Sequence, residues 1–125
     1  MGDLSRNLSR SEFACWCGCG KDDVDLELVS ALQSLRDISG WPIVISSGVR
    51  CRDHNAAVGG VPNSYHVLGM AADIRILHLN VGIVSRLAEY VPSFARGGIG
   101  LYPNMGFVHV DVRPLKSRWI NSGKK

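Results

Sequence analysis

Three side chains in this sequence could together bind a catalytic metal ion. His66 and Asp73 lie in the segment 64–73, and His109 lies further along, in the segment 107–111. Two imidazoles and a carboxylate form the ligand set of a catalytic zinc site that keeps one position open for water. If the fold brings these three groups to one ion, the protein is a metallohydrolase.

Residues 107–112 alternate in the manner of a strand with one buried face. Its three valines point to one side, where they fit a hydrophobic core. Phe107, His109 and Asp111 point to the other side. With His109 as a metal ligand, two roles are open to Asp111: it accepts a proton from the metal-bound water, or it supports a ligand.

The spacing of His66 and Asp73 predicts a loop ligand followed by a strand ligand. The two residues are seven positions apart with Gly69 between them, so they do not form a helical pair. Alternation in residues 71–77 places Asp73 on the polar face of a strand. If this strand pairs with the strand that carries His109, both side chains face the same cleft.

Helices and strands alternate around these groups. Apolar residues at helical spacing predict a helix that begins near Asp22 or Asp23 and is stopped by Gly40. A second helix is capped by Asn80 and terminated by Pro92. The other predicted elements are a short helix at 52–58, strands at 43–47, 71–77 and 107–112, and a glycine-rich approach to another strand at 97–102. This mixture predicts an α+β fold, with a small antiparallel sheet flanked by helices and a metal cleft on the sheet.

Length and composition indicate one soluble globular domain. The chain has 125 residues, of which 46% are hydrophobic and 20% are charged, as is typical of folded domains. We expect residues 1–12 to form a polar arm and residues 121–125 to fray. The N-terminus lacks the apolar core of a signal peptide, and no apolar run is long enough for a membrane helix, which predicts synthesis in the cytoplasm.

Charge and cysteine content narrow the class of partner. The net charge of +3 is mild, and no arginine-rich run or aromatic stacking motif accompanies it, which argues against nucleic acid as a binding partner.

The spacing of the four cysteines does not match a zinc ribbon. Three interpretations of them are open: buried thiols, a second, structural metal site, or disulfides formed after export. The residues concerned are Cys15, Cys17, Cys19 and Cys51.

The pattern Ser64-x-His66-x-x-Gly69-x-Ala71-x-Asp73 with a later His109 resembles the zinc D-Ala-D-Ala carboxypeptidase family. The wider group of that family includes phage endolysins that cut L-Ala-D-Glu bonds and the zinc fold of hedgehog domains. The segment Ser46-Ser47-Gly48-Val49-Arg50 resembles the family's Ser-Gly-Tyr-Arg strand end, with Val49 in place of the usual aromatic residue. Two further segments resemble a short, single-domain branch common in phages. They are His54-Asn55 followed by Val58-Gly59-Gly60, and Gly97-Gly98-Ile99-Gly100-Leu101-Tyr102.

This resemblance implies a role for each matching residue. His66, Asp73 and His109 would bind zinc, and Ser64 would hydrogen-bond the substrate or a ligand. Arg50 would act in catalysis and binding by recognising a substrate carboxylate or carbonyl, which suits its planar fork of donors.

The same resemblance leaves two points open. Tyr102 would line the cleft and contact substrate, or would simply pack. Many relatives carry a carboxylate base three residues before the last histidine, where this chain has Gly106. Asp111 is then the nearest candidate for the base.

The resemblance implies a zinc-dependent peptidase that acts as a monomer on the stem peptide of peptidoglycan. The reaction would be D-Ala-D-Ala carboxypeptidase or L-Ala-D-Glu endopeptidase chemistry, in a phage or prophage endolysin. Without a signal peptide, the protein would reach the cell wall through a holin or as part of the virion. The alternative is a non-catalytic, zinc-binding wall-binding or structural module, which Gly106 favours.

Overall fold

The computed structural model describes residues 2–121, which fold around one five-stranded sheet. The strands are β1 (Ile43–Ser47), β2 (Ala71–Ile76), β3 (Gly98–Tyr102), β4 (Phe107–Asp111) and β5 (Ser117–Ile120). The helices are α1 (Leu26–Ser39), α2 (Arg52–Ala57), α3 (Val81–Ala88) and α4 (Pro92–Ala95), preceded by a short 3-10 helix at Arg10–Phe13. The predicted α+β class is confirmed.

The strand order is β1-β2-β4-β3-β5, and the sheet is mixed rather than wholly antiparallel. The first four strands in this order pair antiparallel, whereas β5 pairs parallel with β3. The connection from β4 to β5 crosses at the end of β3 that begins with Gly98, and β5 then runs in the same direction as β3. Strand β5 was not predicted from the sequence, and it places Trp119 next to Gly100.

One face of the sheet carries the hydrophobic core. Val108 and Val110 of β4 are fully buried, as the alternation predicted. Helices α3 and α4 pack against β3 and β4, and α1 packs against both helices. The opposite face of the same strands is therefore the one on which polar groups can collect.

Helix boundaries differ from expectation in two places. Helix α1 begins at Leu26, later than expected, because the Asp25 side chain caps it by accepting the N–H of Glu27. Helix α3 has the predicted cap at Asn80 but ends at Ala88. Pro92 does not terminate it; instead, Pro92 begins α4, where a missing N–H is tolerated at the first helical position.

The N-terminal segment contributes to the core. Leu8 lies within the segment expected to be a polar arm, yet it is buried, as is Phe13 of the 3-10 helix. Of the expected frayed tail, only Asn121 lies within the described residues, and its N–H donates to the carbonyl of Leu101. Among the described helices, none combines the length and apolar character needed to cross a bilayer.

Candidate metal centre

His66, Asp73 and His109 converge on the polar face of the sheet. Asp73 of β2 lies directly opposite His109 of β4 in the antiparallel register. Asp73 Oδ1 is 3.3 Å from His66 Nε2 and 3.1 Å from His109 Nδ1. All three residues are buried, and their ligand atoms form a group that could hold one metal ion. The convergence predicted from the sequence is present in the structure.

The loop before β2 fixes the orientation of His66. Gly69 adopts a φ of 73°, and a Cβ there would overlap the backbone carbonyl of Asp23, so the turn requires glycine. His66 Nδ1 lies 2.8 Å from the carbonyl oxygen of Gly48. Because a carbonyl oxygen only accepts, we infer that Nδ1 carries the proton and that the Nε2 lone pair points at Asp73.

A carboxylate fixes the orientation of His109 in the same manner. His109 Nε2 lies 2.7 Å from Asp111 Oδ2 and is therefore the donor to it. The Nδ1 lone pair of His109 then faces Asp73. This carboxylate–histidine arrangement is the usual way in which proteins orient a metal-binding imidazole.

The resulting arrangement suits a cation. Two imidazole lone pairs and a carboxylate oxygen meet at one point, so a positive charge is needed between them. Ligands about 2.0–2.1 Å from a tetrahedral zinc ion lie about 3.3 Å apart. The observed separations of 3.3 and 3.1 Å match this spacing. The donor set, two nitrogens and one oxygen, is also one that zinc accepts.

Electrostatics within the cluster favour the charged forms of Asp73 and His109. Burial acts to raise the pKa of Asp73, but the close approach of the His109 and His66 imidazoles outweighs it and holds this pKa well below its usual range. Burial acts to lower the pKa of His109, but hydrogen bonds to Asp111 and Asp73 outweigh it and raise this pKa. Without a metal ion, a proton on His109 supplies part of the positive charge that the site requires.

Asp111 is enclosed behind His109. Its carboxylate is fully buried and accepts hydrogen bonds from the backbone N–H groups of Gly98, at 2.9 Å, and Arg113, at 3.1 Å. The Arg113 guanidinium also donates to both carboxylate oxygens. These bonds and the bond to His109 overcome the effect of burial and hold the pKa of Asp111 well below its usual range. The geometry favours the ligand-supporting role of Asp111 over the role of base.

Arg50 stands on the opposite side of Asp73 from the imidazoles. Its Nη2 donates to Asp73 Oδ2 at 3.3 Å, so the two carboxylate oxygens have separate partners. Its other nitrogens donate to Ser47 Oγ, at 3.1 Å, and Asn55 Oδ1, at 3.2 Å. Arg50 therefore adjoins the cluster and in this structure holds the carboxylate of Asp73, while its contact with substrate stays a prediction.

Ser64 and Tyr102 both reach the cluster through another residue. The Ser64 hydroxyl accepts the backbone N–H of His66 at 3.2 Å and so helps to shape the ligand loop. The Tyr102 hydroxyl accepts from Trp119 Nε1 at 3.1 Å, and the Trp119 ring lies 5.0 Å from the ring of His109. A direct contact of either residue with substrate stays a prediction.

Two residues at the site were not singled out from the sequence. Arg113 lies 4.5 Å from the Tyr65 ring and 5.2 Å from the Trp119 ring while it pairs with Asp111. The strand period that places His109 and Asp111 on one face continues to Arg113, and this signal could have identified it. Trp119 belongs to the unpredicted strand β5 and could not have been placed.

Glycines in β3 make room for these groups. A Cβ at Gly98 would overlap the Asp111 carboxylate, and a Cβ at Gly100 would overlap the Trp119 indole. Gly98 and Gly100 pair with Asp111 and His109, respectively. The glycine-rich sequence of β3 is thus explained by the large groups that lie over it.

Comparison with known proteins agrees with this geometry. The chain is 41% identical over 80 residues to the probable peptidoglycan L,D-endopeptidase MepK of Haemophilus influenzae, covering 64% of this chain and 40% of that protein. It is 31% identical over 100 residues to the peptidoglycan L,D-endopeptidase MepK of Escherichia coli K12, covering 74% of this chain and 53% of that protein. The chain thus spans about half the length, or less, of these curated relatives.

The match to a family is broader than the match to either relative. The profile of the family described as Peptidase M15 aligns with residues 6–111. This segment contains the helices, the first four strands and all members of the metal cluster. The chain belongs to the peptidase M15 family.

Proposed function

We propose that this protein is a zinc-dependent peptidase that hydrolyses an amide bond in the stem peptide of peptidoglycan. The observation that carries the proposal is the convergence of two imidazole lone pairs and one carboxylate oxygen at a single point. Membership of the peptidase M15 family supports peptidase chemistry. The names of the two MepK relatives support peptidoglycan as the substrate.

In the proposed mechanism, His66, Asp73 and His109 hold the zinc ion. When bound, zinc supplies a Lewis acid for the scissile carbonyl and lowers the pKa of bound water to ~7. The carbonyl of Gly48 and the carboxylate of Asp111 hold the two imidazoles in the tautomers that expose their lone pairs. Asp111 acts as a positioning residue, since its carboxylate is fully buried and saturated with donors.

Cationic side chains beside the cluster suit a substrate that carries carboxylates. Arg50 has 14% of its side chain exposed and Arg113 has 20%. A guanidinium binds a carboxylate through two parallel hydrogen bonds. We propose that Arg113 shares with Arg50 the recognition of a stem-peptide carboxylate, and that Tyr102 and Trp119 line the cleft beside them.

We also propose which stem-peptide bond is cut and the biological setting in which the protein acts. The relatives' names specify an L,D-endopeptidase, which supports cleavage of an L,D bond such as L-Ala-D-Glu over D-Ala-D-Ala carboxypeptidase activity. The resemblance to the short phage branch supports a monomeric phage or prophage endolysin. Release to the wall through a holin, or carriage on the virion, completes that proposal.

The test is digestion of purified peptidoglycan followed by mass spectrometry of the released muropeptides. The zinc-loaded protein should produce new amine termini at an L,D bond, and a chelator should abolish them. His109→Ala should also abolish them, whereas His78→Asn is the matched control. His78 is exposed and lies outside the cluster, and asparagine tolerates its positive φ of 70°.

Two results would contradict the proposal in part or in whole. Loss of D-Ala alone would indicate carboxypeptidase activity and would contradict only the choice of an L,D bond. Zinc-loaded protein that binds peptidoglycan without cutting it would indicate the non-catalytic wall-binding module, for which Gly106 is the sequence feature.

A further inference from the structure

A second group of potential metal ligands lies outside the His66–Asp73–His109 cluster. The sulfur atoms of four cysteines lie within 4.8 Å of one another. Three come from the loop that follows the 3-10 helix, and the fourth caps α2. They are Cys15, Cys17, Cys19 and Cys51, all with free thiols.

The distances between sulfurs match a tetrahedral metal site. Cys15 Sγ lies 3.5 Å from Cys17 Sγ and 3.8 Å from Cys51 Sγ, and the last two sulfurs are 3.6 Å apart. Four thiolates at ~2.3 Å from a tetrahedral zinc ion lie about 3.8 Å from one another. Every observed separation is far longer than a disulfide bond of ~2.05 Å.

The loop is shaped to bring its sulfurs to one side. Gly18 and Gly20 have φ values of 84° and 88°, a region that glycine adopts without penalty, so the chain turns after Cys17 and again after Cys19. The Cys15 N–H donates to the carbonyl of Lys21 at 2.8 Å and closes the loop. With the loop in this shape, the sulfurs of all three of its cysteines lie within 4.8 Å of the sulfur of Cys51.

Backbone donors around the cluster suit thiolates. The Cys51 N–H lies 3.4 Å from Cys15 Sγ, and the His54 N–H lies 3.3 Å from Cys51 Sγ. N–H groups directed at sulfur are the outer hydrogen bonds that orient the ligands of a metal site. Cys17 and Cys19 are exposed, so simple burial of hydrophobic thiols does not account for them.

We propose that Cys15, Cys17, Cys19 and Cys51 form a second, structural zinc site. A closed set of four thiolates leaves no position for water or substrate, which is the property of structural zinc. This proposal is independent of the peptidase activity, because the two clusters share no residue.

The proposed site would fix the segment that supports the first cluster. Val49 N–H donates to the Phe13 carbonyl at 2.8 Å, just before the cysteine loop begins. Between that bond and Cys51 lies Arg50, which pairs with Asp73. Gly48, whose carbonyl orients His66, comes immediately before. Zinc bound to the cysteines would therefore hold Arg50 and the Gly48 carbonyl in position, because Cys51 follows both directly in the chain.

The test is metal content of the full chain, purified under reducing conditions. The unmodified protein should contain two zinc ions. The double variant Cys17→Ser/Cys19→Ser should retain only the ion of the first cluster, and His66→Ala should retain only the ion of the cysteines. After cobalt substitution, thiolate-to-cobalt charge-transfer absorption should appear in the unmodified protein and in His66→Ala, and be absent from the cysteine variant.

A measurement on the unmodified protein guards against a cysteine variant that does not fold. A mercurial reagent that blocks the thiols should release one zinc ion, detected with a colorimetric chelator. One zinc ion per chain, unaffected by thiol blockage, would overturn the proposal. So would a titration in denaturant that finds disulfides in place of four thiols.

Discussion

The two carboxylates at this site, Asp73 of β2 and Asp111 of the central strand β4, have different hydrogen-bond partners. Asp73 directs one oxygen toward both imidazoles and the other toward Arg50, so it has an oxygen available for a metal ion. Asp111 uses both oxygens on donors of the protein itself, including the Arg113 guanidinium. These bonds favour the orientation of His109 as the role of Asp111, and its role as a base stays a prediction.

Replacing Asp111 with asparagine separates the two roles proposed for it. We expect Asp111→Asn to weaken zinc affinity by about 10–100-fold, because mutations of groups that orient metal ligands have effects of this size. Zinc affinity would be measured by competition with a chromophoric chelator. The exposed carboxylate of Asp53 offers a control, and Asp53→Asn should bind zinc as the unmodified protein does. Unchanged affinity with lost hydrolysis would instead identify Asp111 as the base.

The convergence of the candidate ligands could be predicted from the sequence because their chemistry is carried by residue type and strand period. His109 and Asp111 share a face in any strand, and Asp73 shares the corresponding face of its own strand. The period does not reveal partners, however, so the bonds of Asp111 to Gly98 and Arg113 could not be foreseen. Residue type and strand period alone therefore do not decide between the two roles of Asp111.

At the scale of elements, the glycines of β3 leave space over the sheet for the Trp119 indole and the Asp111 carboxylate. One row across the sheet contains Ser47, Asp73, His109, Gly100 and Trp119, each on a neighbouring strand. The absence of a side chain at Gly100 lets the Trp119 indole lie over β3 and reach the His109 ring.

Adding one methyl group to β3 should disturb this row. We expect Gly100→Ala to lower the free energy of unfolding by about 1–3 kcal/mol, because the new Cβ overlaps the Trp119 indole and forces it to move. Urea denaturation would measure the change. Gly82→Ala is the matched control, since its Cβ would come no closer than 3.4 Å to Asn80 Oδ1. Equal stability of the two variants would contradict this account of Gly100.

Elements with a strong local pattern were predicted well, and those held by distant contacts were not. Strand β1 and the Asn80 cap of α3 follow directly from residue types. Strand β5 has no buried residue and depends on pairing with β3, so its short sequence carries little signal. The expectation that Pro92 terminates α3 is wrong because proline also suits the first position of a new helix, here α4.

At the scale of the whole molecule, the metal cluster couples folding to pH. The pKa of His109 is raised from 6.5 in the folded, metal-free protein, so its proton contributes stability that is fully present below about pH 6.5. That contribution is lost as pH rises through the raised value. The pKa values of Asp73 and Asp111 are lowered, so their contribution is present above their ordinary value of 3.8 and is lost as pH falls.

The metal-free protein, prepared with a chelator, should therefore have its largest free energy of unfolding between about pH 4 and about pH 6.5. We expect its free energy of unfolding to decline from about pH 6.5 upward, and to decline again below about pH 4. Urea denaturation at a series of pH values would measure this profile. A metal-free protein whose stability rises steadily from pH 6 to pH 9 would contradict it.

Bound zinc should reverse the loss of stability expected above about pH 6.5. A ligand that binds only the folded state stabilises it by about 2.7 kcal/mol at a hundred times its dissociation constant. Because protons compete with zinc for the imidazoles, this gain should grow as pH rises. Thermal denaturation with and without zinc would measure it, and His66→Ala should show a smaller gain than the unmodified protein.

Because the Trp119 ring lies beside the His109 ring, the fluorescence of Trp119 should respond to a metal ion bound at His109. An open-shell ion such as Cu²⁺ seated beside that imidazole would quench the indole's fluorescence at short range. With Trp16 and Trp41 replaced by phenylalanine, the emission of a single tryptophan would follow occupancy in real time, without any added dye.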